Sequence, residues 1–149
     1  RSPKEICFCC SKNRSVEKRT DDGFPICRNC NKRDRYENDE SFRTKEKIKA
    51  NLTSAFKKYS INGKIMTSIE YGINYKAIIE YLGSCPGPRK EYHIDHILPL
   101  SAFDFDDLEQ IKKAFAPENH QWLLIKDNLK KSNIFNCEEL RRYLYDNES

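Results

Sequence analysis

The chain of 149 residues has room for one modest domain, or for a small metal-stapled module beside a compact second one. Charged residues make up 34% and apolar residues 38%, which leaves no large core, and nothing approaches the run of about 18 apolar residues needed to span a membrane. The net charge of +4 is uneven: residues 41–60 hold six lysines and arginines against one glutamate, while residues 91–120 hold seven carboxylates against two lysines, a pattern suited to gripping a polyanion and bringing a cation to it.

Cysteines open the sequence. Cys7-x-x-Cys10 and Cys27-x-x-Cys30, separated by 16 residues, match a four-thiolate zinc site, each pair forming a tight knuckle. Gly23-Phe24-Pro25 reads as the turn that returns the second knuckle to the first. Cys9 is one residue out of register and is a spare. A disulfide framework would need an oxidising compartment and would leave an odd cysteine. The zinc is expected to be structural, because four thiolates close its coordination shell and about 30 residues this poor in apolar side chains would not fold alone. Residues 1–33 are thus predicted to form a zinc-ribbon-like module.

Residues 34–90 read as a helical, basic linker. Ile48, Leu52, Phe56 and Tyr59 form one apolar stripe at helical spacing. Arg43, Lys45, Lys47, Lys49, Lys57 and Lys58 occupy much of the remaining surface. Such a helix can pack on a neighbour and still offer lysines to phosphates. Gly63 is expected to end it, Tyr71–Asn74 to form a turn, and Tyr75–Leu82 to form a short helix burying Ile78, Ile79 and Leu82. Gly83–Pro88 is a loop by composition, and Arg89 and Lys90 lead out of it.

All three histidines lie within residues 91–149. Glu91–Ile97 has the β-branched and aromatic content of a short strand that Pro99 stops. Ser101–Asp107 is a loop in which Phe103 and Phe105 are core candidates. Asp107–Ala116 reads as a helix with Leu108, Ile111 and Phe115 on one face and an aspartate cap. Gln121–Ile125 is a second strand, Lys126–Asn133 a helix, and Asn136–Tyr145 a terminal helix with Leu140, Tyr143 and Leu144 inward. The fold class expected is α+β.

The polar residues of this segment have a fixed order: Asp95-His96, then Asn119, then Asn128. An aspartate oxygen and an asparagine carbonyl oxygen are hard ligands that suit Mg²⁺ or Mn²⁺. A neighbouring neutral imidazole can take a proton from water near neutral pH, giving a rate profile that rises through an ordinary imidazole pKa. Asp95 and His96 are adjacent on a strand, so both reach one site only if the backbone bends beside them.

The Asp-His pair followed by I-x-P, the Asn 23 residues after the His and a second Asn nine further on resemble the HNH (His-Me finger, ββα-metal) endonucleases. The likeness covers roughly Tyr92–Asn133. It is to the phage and restriction type and, in outline, to the HNH domain of RNA-guided CRISPR nucleases. Zinc ribbons ahead of HNH segments recur in phage-type relatives.

The resemblance implies a ββα-metal core that hydrolyses phosphodiester bonds of double-stranded DNA, leaving 5′-phosphate and 3′-hydroxyl ends. His96 would be the general base, Asp95 and Asn128 would hold catalytic Mg²⁺ or Mn²⁺, and Asn119 would tie down the long loop and orient the imidazole. Asn128 stands where many members carry a histidine, which favours a hard cation. Lys131, with Lys130, Lys45, Lys49, Arg89 and Lys90, would meet the nucleic acid. His93 is expected in a core or supporting role, and His120 has no role in the motif. One such site cuts one strand, so a double-strand break suggests a homodimer. No membrane or small-molecule partner is expected. No signal peptide is recognisable, although the sequence starts without Met, and the expectation is a cytoplasmic bacterial, archaeal or phage-encoded protein. The alternative is a zinc-ribbon DNA- or RNA-binding protein whose HNH fold does not cleave.

Overall fold

A computed structural model describes residues 3–61, 66–131 and 135–145. Gly63 and Asn133, which sequence reasoning placed at helix ends, lie outside the described residues. The first strands are short and alternate half-buried with exposed positions, as one-sided strands do. β1 (Lys4–Ile6), β2 (Asn13–Arg19) and β3 (Pro25–Cys27) pair antiparallel in the order β1-β2-β3. Gly23 adopts φ 88°, which a side chain would resist, and its turn is closed by the Thr20 N–H on the Phe24 carbonyl at 2.9 Å. α1 (Arg28–Asn38) starts directly on Cys27.

Packing divides the chain into two compact units, Arg1–Arg43 and Thr44–Ser149, so the three stretches read from the sequence fold as two. The reason is physical. The apolar stripe of α2 (Glu40–Tyr59) shares one core with residues of the last third and is no linker. In that core Ile48, Leu52, Ala55 and Phe56 of α2 meet Phe103, Phe105, Ile111 and Phe115. Phe105 stands edge-on to Phe56 with ring centroids 5.5 Å apart. The first unit has its own small core of Cys7, Ile26, Cys27 and Cys30.

α3 (Tyr75–Leu82) begins where Asn74 accepts the Ala77 N–H at 3.1 Å, and it buries Ile78, with Ile79 and Leu82 half-buried. The turn before it is more than a connector, because Tyr71 and Ile73 are core residues. β4 (Tyr92–His96) pairs antiparallel with β5 (His120–Leu124), the second sheet. Between them lies α4 (Leu108–Ala114), capped by Asp107, which accepts the Glu109 N–H at 3.0 Å. Leu108 departs from expectation: it is 51% exposed. As the first residue of α4 it precedes the face that packs, which is Ile111, Ala114 and Phe115 at spacings of three and one. α5 (Ile125–Lys131) follows β5 without a break, and α6 (Cys137–Tyr145) packs Leu144 inward, with the Tyr143 hydroxyl donating to the Lys113 carbonyl at 2.5 Å. Among the described residues six α-helices and two small antiparallel sheets make an α+β fold. Among the described residues no helix is long and apolar enough to cross a membrane.

Candidate functional site

Two regions hold converging polar chemistry. In the first unit, β1 delivers Cys7 and the turn after it delivers Cys10, closed by the Ser11 N–H on the Cys7 carbonyl at 2.9 Å with Ser11 at φ 58°. β3 ends on Cys27, and the first turn of α1 places Cys30 beside it. All four sulfurs lie within 4.8 Å of one another, those of Cys10 and Cys27 at 3.9 Å. Tetrahedral zinc with Zn–S bonds of about 2.3 Å sets its sulfurs about 3.8 Å apart, so these residues fit the ion with a small inward movement. The Cys27 backbone N–H donates to the Cys7 sulfur at 3.3 Å and holds that thiol down to about 6. Burial pushes Cys30 up to about 12. Four such groups in one place are reconciled by a cation that takes them all as thiolates. The cluster can hold zinc. Cys9 and Cys137, both exposed, and the half-buried Cys85 lie outside it.

In the second unit, the β4–β5 register decides which side chains meet. Asp95 is opposite Gln121, and His96 is opposite His120. Alternation puts the two pairs on opposite faces of the hairpin. The chain bends at Ile97–Leu98 immediately after His96, so Asp95 and His96 both line one open cleft of about 260 Å³. Asn128 and Lys131, one turn apart on α5, line the same cleft.

Asn119 is 1% exposed and is the brace of the bend. Its Oδ1 accepts the Leu98 N–H at 2.8 Å, and its Nδ2 donates to the carbonyls of Leu98 at 3.1 Å and Ala114 at 3.0 Å. Its own carbonyl accepts the Ile97 N–H at 2.9 Å. The amide ties both ends of the long loop together and acts on His96 through the backbone that follows it.

The Asp95 carboxylate is buried and engaged twice. Gln121 Nε2 donates to Oδ2 at 2.9 Å, and the Lys131 ammonium lies 3.2 Å from Oδ2 while donating to the His96 carbonyl at 2.7 Å. The His96 ring is packed between Phe115 and His120, with centroids 5.2 and 4.7 Å away. Burial first, then the nearby His120 and Lys131, push His96 down to about 3. It is therefore an uncharged imidazole near neutral pH and does not titrate at the ordinary histidine value. His120 is lowered too, chiefly by burial, and its Nδ1 lies 2.8 Å from the Ala116 carbonyl. The Nε2 atoms of His96 and His120 are both buried with no hydrogen-bond partner among the described residues.

The remaining candidates lie apart from the cleft. His93 is exposed opposite Leu123, so the core role expected for it is not what the register gives: it falls on the strand position that solvent reaches. Lys49 reaches Glu46 at 3.9 Å, Lys45 lies over the Tyr75 ring at 5.7 Å, Lys130 is exposed, and Arg89 and Lys90 sit in a 3₁₀ turn before β4. Sequence reasoning did not single out Gln121 or His120, because their partners depend on a strand register that no local pattern encodes. It also did not single out Asn51 and Ser54, which line the cleft from α2 at helical spacing with Lys58.

No family model and no solved structure matches the chain. It is similar to Uncharacterized protein L426 of Acanthamoeba polyphaga mimivirus, 27% identical over 121 residues that cover 77% of this chain and 53% of that relative. The chain therefore spans about half the length of the curated relative it matches.

Proposed function

We propose that this chain is a metal-dependent endonuclease of the HNH type acting on DNA. The observation that carries the reading is the convergence of Asp95, His96 and Asn128 on one cleft, by way of a strand, a braced loop, a second strand and a helix. The motif was read from spacing alone, and spacing need not bring residues together; here they share a wall. Asn119 braces the loop as the family motif requires, and the zinc-competent cluster stands ahead of it in the chain.

Asp95 and Asn128 would hold Mg²⁺ or Mn²⁺, and their oxygens suit a hard cation. When bound, that cation neutralises charge developing on the phosphate. His96 takes a proton from the water that attacks phosphorus in line. The new P–O bond forms as the bond to the 3′ oxygen breaks, and that oxygen takes a proton from solvent, leaving 5′-phosphate and 3′-hydroxyl ends. The Nε2 of His96 is buried with no hydrogen-bond partner among the described residues, which leaves its lone pair unengaged until a water or substrate reaches it. Burial keeps it uncharged, so its lone pair is open without a pH limb near neutrality. Cutting both strands takes two copies, most simply as a homodimer.

One observation favours a second reading, a zinc-ribbon DNA- or RNA-binding protein that does not cut. The Lys131 ammonium sits on Asp95, where a catalytic cation would be. Plasmid nicking with Mg²⁺ or Mn²⁺, against the same protein without either, decides between them. The nuclease reading expects metal-dependent nicks, and His96→Ala should slow them by about 10²–10⁴-fold with DNA binding retained. Intact plasmid under every metal condition, or a His96→Ala protein as fast as wild type, would favour the binding protein.

A further inference from the structure

We infer that α2 forms the second wall of this cleft and that Asn51, Ser54 and Lys58 bind the sugar-phosphate backbone beside the phosphate that is cut. The inference rests on the nuclease reading above and names the subsite of its substrate. The rotation of α2 about its axis is fixed by the burial of Ile48, Leu52, Ala55 and Phe56. At roughly 100° per residue, positions 51, 54 and 58 fall within an arc of about 60° beside Ala55. All three line the cleft that also holds Asp95, His96 and Asn128. Measured from Lys58, Lys57 projects roughly 100° away and Lys45 and Lys49 roughly 140° and 180°.

The chemistry of the wall is that of an anion site. An amide, a hydroxyl and an ammonium offer donors along about 10 Å of helix, enough for more than one backbone oxygen. Neither the Asn51 nor the Ser54 side chain makes a hydrogen bond among the described residues. Lys58 has no carboxylate partner there, and its ammonium lies 5.8 Å from the ring of Tyr59, another residue of the cleft. Lys131, the other lysine of the cleft, is engaged by Asp95 and the His96 carbonyl. Lys58 is thus the charge left for the phosphate. The wall is on a 20-residue helix whose buried face fixes its position, so it needs no loop to close.

The competing explanation is a solvated basic helix that attracts DNA through diffuse charge, and adjacent lysines separate the two. Binding of a short duplex is measured across a salt series without added Mg²⁺ or Mn²⁺, for wild type, Lys58→Gln and Lys57→Gln. Both variants lose one charge and both positions are exposed. Lys58→Gln should flatten the salt dependence by about 0.9 in log–log slope and weaken binding several-fold whatever the sequence. Lys57→Gln should track wild type. Asn51→Ala with Ser54→Ala should weaken binding without changing the slope, and unchanged fluorescence of Trp122 confirms the fold in each case. In nicking assays with Mg²⁺, Lys58→Gln should raise KM by the same factor and leave kcat nearly unchanged. If wild type nicks but Lys58→Gln and Lys57→Gln behave alike, the wall is overturned and the nuclease stands. If binding depends on Lys58 but no metal gives nicks, the wall stands and the nuclease reading falls. If wild type neither binds nor nicks, both fall.

Discussion

The two units hold polar groups for opposite reasons. In Arg1–Arg43 the core is four thiols and Ile26. One isoleucine stabilises by about 2 kcal/mol, far less than the entropy lost in ordering three strands and a helix. A core that small calls for an ion on its four sulfurs, which the cluster could hold. In Thr44–Ser149 the core is a broad apolar cluster, and Asp95, His96, Asn119 and His120 are buried beside it. Those four do not supply the hydrophobic drive, and burying them carries a desolvation cost. Asn119 offsets that cost with three hydrogen bonds to backbone, whereas the Nε2 of His96 offsets nothing. The difference separates a fold-making cluster from a site, and it can be tested one unit at a time.

The largest effect should come from Cys27→Ser. Structural zinc contributes about 10–16 kcal/mol of apparent binding energy in small modules, and here it would be the folding energy of the first unit. Hydrogen exchange should show loss of protection across β1–β3, and elemental analysis loss of about one zinc per chain. Trp122, the one tryptophan, lies on β5 and reports the second unit alone. Its urea midpoint should not move. A collapse of the Trp122 signal together with β1–β3, or soluble wild type free of zinc, would break the comparison.

Asn119→Ala comes next and acts on the other unit. It strips one backbone N–H and two carbonyls of their partner in a buried place. Unsatisfied buried groups cost about 1–3 kcal/mol each, and relaxation recovers part of it, so a loss of about 3 kcal/mol is expected from the Trp122 midpoint. The zinc content should stay at its wild-type value. A loss under about 1 kcal/mol would mean that the bend after His96 holds without its brace.

Much of this was legible in the sequence where the signal is local. Two CxxC pairs name their own partners, so Cys7, Cys10, Cys27 and Cys30 could be read at once. The stripe of Ile48, Leu52 and Phe56 follows from period, and the aspartate-capped helix of Leu108–Ala114 from cap chemistry. The division into units was not legible, because which core a stripe packs into is decided by tertiary contacts. Nor was the exposure of Leu108, where the first turn of α4 overrides its apolar character. At the cleft, the order Asp-His…Asn…Asn marked Asp95, His96, Asn119 and Asn128. Gln121 and His120 needed the β4–β5 register, and Lys58 needed the rotation of α2, both long-range facts. The depth of His96 was also hidden: a histidine letter carries an ordinary pKa until burial is known.

That depth gives the last and smallest effect. In the unfolded chain a histidine titrates near its ordinary value of 6.5, while folded His96 is pushed down to about 3 by burial, and His120 is lowered in the same direction. Below about 6.5 the unfolded chain therefore binds protons that the folded chain does not, so stability is full above that pH and declines as pH falls towards 3. The limiting slope is about 1.4 kcal/mol per pH unit for each histidine. Measured between about pH 7.5 and 5.5, above the range where carboxylates titrate, the Trp122 urea midpoint should hold steady and then fall. His96→Gln removes one titrating group and should flatten the decline by about one proton. His93→Gln, at an exposed position, is the matched control. Cysteine ligands also take up protons in acid, but they belong to the unit that Trp122 does not report. A midpoint that stays level down to pH 5.5, or a slope that follows His93 instead of His96, would show that His96 and His120 are not buried as the geometry has them.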